Sequence, residues 1–127
     1  MVDTPGPILI VEDNGDTRGA LERILGITGY AYVSTGGARA ALDYLDRGGT
    51  AAAIVLDLEM PGMDGRQFLD ELRTNPAWKR IPVIVFSCDP SRADDDVSAR
   101  VRKGSDDPDV LLAALAACGR VPARRPL

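Results

Sequence analysis

Asp57 ends a short run of branched apolar residues, 54–56, that is typical of a strand buried on both faces of a sheet. Pro61, Gly62 and Gly65 follow and break regular structure, so Asp57 is predicted to lie where the strand meets a loop. Ligands of open parallel α/β sheets bind at such junctions. The Asp57 carboxylate is therefore a candidate for chemistry, although a lone acid there could simply cap the next turn.

Polar side chains also follow three other predicted strands. Glu12 and Asp13 end the first strand, Ser87 the fourth and Lys103 the fifth. Because a parallel sheet places the carboxyl ends of all its strands along one edge, we expect these groups to converge with Asp57. Clustered carboxylates repel one another unless a cation lies between them. A set of oxygen ligands without histidine or cysteine suits Mg²⁺, which prefers a few carboxylates, water and phosphate oxygens.

Such a group of residues can form an acyl phosphate. A carboxylate beside Mg²⁺ can attack phosphorus as a nucleophile. The metal neutralises the incoming charge, while a lysine and a hydroxyl hold the remaining phosphoryl oxygens. The sequence therefore predicts phosphoryl chemistry at Asp57.

The elements that position these groups alternate between strands and helices. Strands are predicted at 7–11, 30–33, 54–57, 81–86 and 99–103. Apolar stripes predict helices through Leu21, Ile24, Leu25 and Thr28, through Ala38, Ala41, Leu42 and Leu45, through Phe68, Leu69 and Leu72, and through Val110, Leu111, Ala114, Leu115 and Cys118. Asn14 or Asp16 is expected to cap the first helix and Gly29 to end it. Alternation of this kind predicts a doubly wound α/β fold with a parallel sheet.

The stretch between Ser87 and Lys103 departs from this pattern. Three consecutive aspartates, 94–96, interrupt an already poor apolar stripe, so the helix after strand four is expected to be short or missing. Residues 99–103 alternate as a half-exposed edge strand does. Arg100 and Arg102 are expected to cover its bare face.

Length and composition limit the classes of protein to which the chain can belong. The 127 residues are expected to form one domain, with a core at about 7–118 and a loose tail at 119–127. The net charge of −4 argues against direct nucleic-acid binding, and the sequence shows neither a signal peptide nor an apolar run of membrane-spanning length. Two distant cysteines and no histidine fit a reduced cytoplasmic protein without a zinc site or a His-based triad.

The chain resembles the receiver domain of bacterial two-component response regulators. The resemblance is carried by Ile8-Leu-Ile-Val-Glu-Asp-Asn14, by Ile54-Val-Leu-Asp-Leu-Glu-Met-Pro-Gly-Met-Asp-Gly65 and by Ile81-Pro-Val-Ile-Val-Phe-Ser87. It implies a flavodoxin-like fold whose five-stranded parallel sheet has the order 2-1-3-4-5. It further implies a stand-alone receiver that is a signalling domain rather than an enzyme, capable at most of self-phosphorylation and self-dephosphorylation.

The resemblance also implies a metal site and a phosphoacceptor. Glu12 and Asp13 would bind Mg²⁺, directly or through water. Asp57 would be a further ligand and would accept the phosphoryl group from a kinase phosphohistidine. The backbone carbonyl of Glu59 would complete the metal site.

Two further residues take roles by the same resemblance. Ser87 would be the switch hydroxyl and Lys103 would pair with the phosphate. The chain departs from the family here, because Gly104 replaces a proline after the lysine and Arg100 replaces an aromatic residue three positions before it. Switching is therefore expected to proceed by ordering of residues 89–99.

The implied partners are a sensor histidine kinase or phosphotransfer protein and a downstream protein target, with a possible homodimer at the exposed edge strand. Two other classes remain open at this stage. A pseudo-receiver would bind partners without phosphorylation. A phosphatase of the haloacid dehalogenase type also uses an aspartate and Mg²⁺, but it needs the nucleophile on the first strand and an aspartate where this chain has Glu59.

Overall fold

The computed structural model describes residues 6–60, 65–88, 97–103 and 108–118. Over these residues the elements are β1 (Ile8–Val11), α1 (Gly15–Thr28), β2 (Tyr32–Thr35), α2 (Ala38–Asp46), β3 (Ala53–Leu56), α3 (Gly65–Thr74), β4 (Val83–Ser87), β5 (Ala99–Arg102) and α4 (Pro108–Ala117). No helix within these ranges is long and apolar enough to cross a membrane.

The five strands form one sheet in the order β2-β1-β3-β4-β5, and every pairing is parallel. This confirms the predicted fold class and strand order. The register aligns the carboxyl ends, because Val11 lies opposite both Thr35 and Leu56, and Leu56 lies opposite Val85. The residues that follow β1, β3 and β4 are therefore delivered to the same edge of the sheet.

Helices cover both faces of the sheet with apolar side chains. On one face α2 and α3 pack against the sheet through Ala38, Ala41, Leu42, Leu45, Phe68, Leu69 and Leu72. On the other face α1 and α4 pack through Leu21, Leu25, Leu111 and Leu115. All four residues of β1 and of β3 are buried, as expected for central strands covered on both faces.

Local signals set both ends of α1. The Asn14 side chain accepts a hydrogen bond from the Thr17 N–H at 2.9 Å, so Asn14 is the N-cap and the alternative cap, Asp16, lies in the first turn. Gly29 ends the helix in the left-handed conformation, with φ of 103°, and its N–H donates to the Leu25 carbonyl. Only three residues, 12–14, therefore separate β1 from α1.

Some predicted boundaries are wrong. Strand β2 begins at Tyr32 and includes Ser34 and Thr35, whereas the strand was predicted at 30–33. Pairing with β1 overrides the local turn propensity, and the Thr35 hydroxyl also donates to the Ile10 carbonyl at 2.7 Å. Val110, predicted to face inward, is 39% exposed. Because α4 is apolar almost all round, its periodicity does not define one buried face.

The connection from β4 to β5 is short, since only the eleven residues 88–98 separate the two strands. The predicted missing or shortened helix falls on residues 89–96, which lie outside the described residues, as does the tail at 119–127. Strand β5 has the predicted alternation, with Val101 buried and Arg100 and Arg102 exposed.

Replacing Gly29 by alanine should destabilise the protein, because the left-handed backbone at this position disfavours a Cβ atom. We expect a loss of about 1–2 kcal/mol in the free energy of unfolding, measured by urea denaturation. Gly19→Ala in the same helix is the matched control. A Cβ at Gly19 would contact no described atom within 4 Å, so this variant should gain roughly 0.5–1 kcal/mol. Equal effects of the two substitutions would contradict this account of the helix end.

Candidate functional site

Asp57 lies directly after β3 at the carboxyl edge of the sheet. Its backbone N–H donates to the Val11 carbonyl at 3.0 Å, which continues the ladder between β1 and β3 by one residue. Its side chain is 3% exposed, and one carboxylate oxygen, Oδ1, accepts the Glu59 N–H at 3.1 Å. The backbone thus holds Asp57 at the strand-to-loop junction predicted from the sequence.

Glu12 and Asp13, which follow β1, lie beside Asp57. One ligand oxygen from each of the three carboxylates lies within 4.8 Å of the others. Glu12 is 1% exposed and its Oε2 accepts the Asn14 N–H at 3.1 Å, whereas Asp13 is exposed. Three carboxylates so close together, one of them open to solvent, make a donor set that fits a hard divalent cation.

Lys103 brings a positive charge into this group. Its ammonium nitrogen lies 2.8 Å from Glu12 Oε1 and 3.4 Å from Asp57 Oδ2, and its side chain is 17% exposed. The Lys103 N–H donates to the Ser87 carbonyl at 2.9 Å and so extends the pairing of β4 with β5. Although Gly104 and the short preceding segment depart from the family pattern, the lysine reaches both carboxylates.

Burial and charge shift the pKa values of Glu12 and Lys103. Burial raises the pKa of Glu12 to about 7, even though the hydrogen bonds from Lys103 and Asn14 favour its charged form. Burial opposes the charge of Lys103, but the hydrogen bond and charge of Glu12, together with the charge of Asp57, outweigh it and raise the Lys103 pKa. The site therefore binds protons and positive charge readily.

Ser87 ends β4 and is fully buried. Its hydroxyl donates to Glu59 Oε1 at 3.0 Å, so the two residues are joined across the site by their side chains. The family resemblance assigned a role only to the backbone carbonyl of Glu59. No feature of the sequence indicated that its side chain would meet Ser87, which lies 28 positions away.

Two further residues that support the site were missed. The Arg18 guanidinium donates to the carbonyls of Glu12 at 2.9 Å and Asp13 at 3.5 Å, and so ties α1 to the loop that carries the acidic pair. Gly65 was interpreted only as a break in structure, yet it begins α3. A Cβ there would lie 2.5 Å from Leu58 Cα and 2.7 Å from the Asp57 carbonyl oxygen. Its position within the Met-Asp-Gly segment was the available signal for this close approach.

The chain was compared with known families and proteins. The model of the family described as the response regulator receiver domain matches residues 8–108. The transcriptional regulatory protein HprR of Escherichia coli is 39% identical over 95 residues, which is 75% of this chain and 39% of that protein. The response regulator protein FleR of Pseudomonas aeruginosa is 36% identical over 80 residues, or 63% of this chain and 16% of that protein. The chain thus spans well under half the length of either relative.

Solved structures resemble the fold more completely. A sensor protein from Polaromonas sp. JS666 superposes with a TM-score of 0.81 at 26% identity, covering 90% of this chain and 96% of that one. The response regulator TrrA of Thermotoga maritima, solved in complex with Mg²⁺-BeF, gives a TM-score of 0.78 at 25% identity, with coverage of 90% and 99%.

The raised pKa of Glu12 predicts an unusual dependence of stability on pH in the absence of divalent metal. The folded state binds a proton on Glu12 more tightly than the unfolded state, whose pKa is near 4.5. Stability should therefore fall as pH rises from about 4.5 to about 7, by roughly 1–3 kcal/mol, and level off above that. No histidine side chain titrates in this pH range, because the sequence contains none.

Glu12→Gln cannot titrate and should lose this decline. Urea unfolding of both proteins at several pH values, in the presence of a chelator, measures the difference. An equally steep decline in the variant would assign the effect to other groups.

Proposed function

The chain belongs to the response regulator receiver domain family, and we propose that it accepts a phosphoryl group on Asp57 with Mg²⁺ and thereby switches a contact with a protein partner. Receiver domains are signalling domains that interact with histidine kinases or phosphotransfer proteins. The observation that carries the proposal is the convergence of Glu12, Asp13 and Asp57 with the Lys103 ammonium at one sheet edge. This arrangement places oxygen atoms that can bind a metal beside a nucleophile and a cation that can pair with phosphate.

The proposed metal is Mg²⁺, held by the carboxylates of Glu12, Asp13 and Asp57 and by the backbone carbonyl of Glu59. The donor set supports this choice, because it consists of oxygen atoms and the exposed Asp13 leaves room for water ligands. When bound, the metal neutralises charge on the phosphoryl oxygens. Lys103 would then turn from the carboxylates toward the phosphoryl group.

The proposed transfer is a displacement at phosphorus. An Asp57 carboxylate oxygen forms the new O–P bond while the N–P bond of the donor phosphohistidine breaks, and the leaving imidazole takes up a proton. The Lys103 ammonium and the Ser87 hydroxyl stabilise the phosphoryl oxygens. The resulting change in charge and contacts alters a surface for a downstream protein, which we place at the β5 edge beside the exposed Arg100 and Arg102.

The domain limits and the location of the protein are part of this proposal. Residues 1–127 would act as one receiver domain in the cytoplasm, with a core at about 7–118. The alternative is a pseudo-receiver, in which the same fold binds partners without accepting a phosphoryl group. The experiment that follows distinguishes the two.

Asp57→Asn should abolish phosphorylation, because the amide keeps the shape of the side chain but lacks the nucleophilic carboxylate. The wild-type protein, incubated with acetyl phosphate and Mg²⁺, should gain one phosphoryl mass by intact mass spectrometry. Asp70→Asn, which removes an exposed carboxylate on α3, is the matched control and should still gain it. Phosphorylation of Asp57→Asn at the wild-type rate would disprove the acceptor assignment. Unchanged mass in the wild type would favour the pseudo-receiver.

Mg²⁺ should raise the melting temperature of the unphosphorylated protein, since metal that binds the folded state stabilises it by mass action. Asp13→Asn removes one ligand charge and should weaken Mg²⁺ binding roughly tenfold or more. The same change relieves repulsion and should not destabilise the metal-free protein. Calorimetric titration and thermal unfolding measure the two effects. Identical Mg²⁺ affinity in the wild type and Asp13→Asn would remove Asp13 from the site.

A further inference from the structure

The Glu59 carboxylate accepts a hydrogen bond from the Ser87 hydroxyl, which the proposed function assigns to phosphate binding. Ser87 Oγ donates to Glu59 Oε1 at 3.0 Å, while the Glu59 backbone N–H donates to Asp57 Oδ1 at 3.1 Å. Glu59 therefore contacts the acceptor carboxylate through its backbone and the buried serine through its side chain. The loop that leaves β3 carries Glu59 to both contacts.

A serine hydroxyl has one proton to donate. While that proton is shared with Glu59 Oε1, it is not available to a phosphoryl oxygen on Asp57. The phosphoryl group also carries about −1.5 to −2 charge units near neutral pH, so it repels a carboxylate held beside it. The hydrogen bond from Ser87 to Glu59 and the hydrogen bond from Ser87 to a phosphoryl oxygen are therefore alternatives.

We propose that the Glu59 side chain is a positioning residue that holds the Ser87 hydroxyl away from the phosphoryl position, so that phosphorylation requires its release. This inference rests on the proposed function, because it concerns the same site. We name the hydrogen bond between Ser87 Oγ and Glu59 Oε1 the Glu59 latch. The latch opposes phosphorylation of Asp57 and is broken once Ser87 bonds to the phosphoryl group.

Burial explains why the latch matters for the energy of the site. Ser87 is fully buried, so its hydroxyl cannot readily exchange one partner for water. Glu59 is exposed, so a released carboxylate can return to solvent at little cost. On phosphorylation the Ser87 hydroxyl would therefore exchange the Glu59 carboxylate for a phosphoryl oxygen on Asp57. Glu59 would exchange the Ser87 hydroxyl for water. Release of Glu59 also changes the charge displayed on the surface next to the site.

The latch can be separated from simple charge repulsion by three Glu59 variants. Glu59→Ala removes both the hydrogen bond and the charge. Glu59→Gln removes the charge but keeps an oxygen that can accept the Ser87 proton. Glu59→Asp keeps the charge on a shorter side chain, which cannot span the same distance. The proposed metal ligand at this position is the backbone carbonyl, which all three variants retain.

The test measures the rate of mass gain with acetyl phosphate at saturating Mg²⁺. We expect Glu59→Ala to be phosphorylated about five- to tenfold faster than the wild type, which corresponds to the loss of one hydrogen bond of typical strength. Glu59→Gln should lie between the two, and Glu59→Asp should be faster than the wild type. Glu71→Ala, which removes an exposed carboxylate on α3, is the matched control and should leave the rate within about twofold.

A double-mutant cycle with Ser87→Ala isolates the latch. Ser87→Ala should slow phosphorylation by itself, because the phosphoryl group loses a donor. In that background Glu59→Ala should have no further effect, since no hydroxyl remains to be held. Melting temperatures of the Glu59 variants should fall by about 3–6 °C at most, because the buried Ser87 hydroxyl loses an acceptor while the packing of the core is unchanged.

The outcomes are distinguishable. Equal rates in the wild type and Glu59→Ala, or a slower variant, would overturn the latch while leaving the proposed function intact. Equal acceleration by alanine and glutamine that persists in Ser87→Ala would also overturn it, because repulsion alone would then account for the effect. No mass gain in the wild type or in any variant would overturn the proposed function and the latch together.

Discussion

Two nearly buried carboxylates, Glu12 and Asp57, share the single ammonium of Lys103. Charges placed out of water are costly unless they are paired, and here one positive charge serves two negative ones. Burial raises the pKa of Glu12 to about 7, although the hydrogen bonds from Lys103 and Asn14 favour its charged form. The three clustered carboxylates therefore form a donor set that fits a divalent cation, which would add positive charge to the site.

Holding these charges together requires a rigid frame. The parallel register brings the ends of β1, β3 and β4 to one edge, and helices cover both faces of the sheet with apolar side chains. Arg18 fixes the carbonyls of the loop after β1, and the absence of a Cβ at Gly65 lets α3 approach the backbone of Asp57. Side chains and backbone outside the charged group therefore set its geometry.

Glu59 takes part in the site through its side chain as well as through its backbone. The proposed metal site uses only its backbone carbonyl, which any residue could supply. Its side chain instead bonds to Ser87, and so makes the hydroxyl at the end of β4 part of the unphosphorylated arrangement. A single side chain can in this way alter how readily the site reacts without altering the groups that react.

Periodicity and composition alone determined the α/β class, the alternation of elements, the end of α1 at Gly29 and the position of Asp57 after a buried strand. These features depend on residues close in sequence, for which local propensity and burial agree. The family resemblance added the strand order and assigned a role to each polar residue at the sheet edge. Glu12, Asp13, Asp57 and Lys103 could be chosen because each follows a predicted strand.

Tertiary structure decided what local signals could not. The start of β2 depends on pairing with β1, which overrides the turn propensity of Ser34 and Thr35. The outward position of Val110 depends on how an almost wholly apolar helix packs against the sheet. The contact of Ser87 with Glu59, the reach of Lys103 to both carboxylates and the close approach at Gly65 depend on distances between separate elements, since side-chain contacts across a sheet edge leave no periodic trace in the sequence.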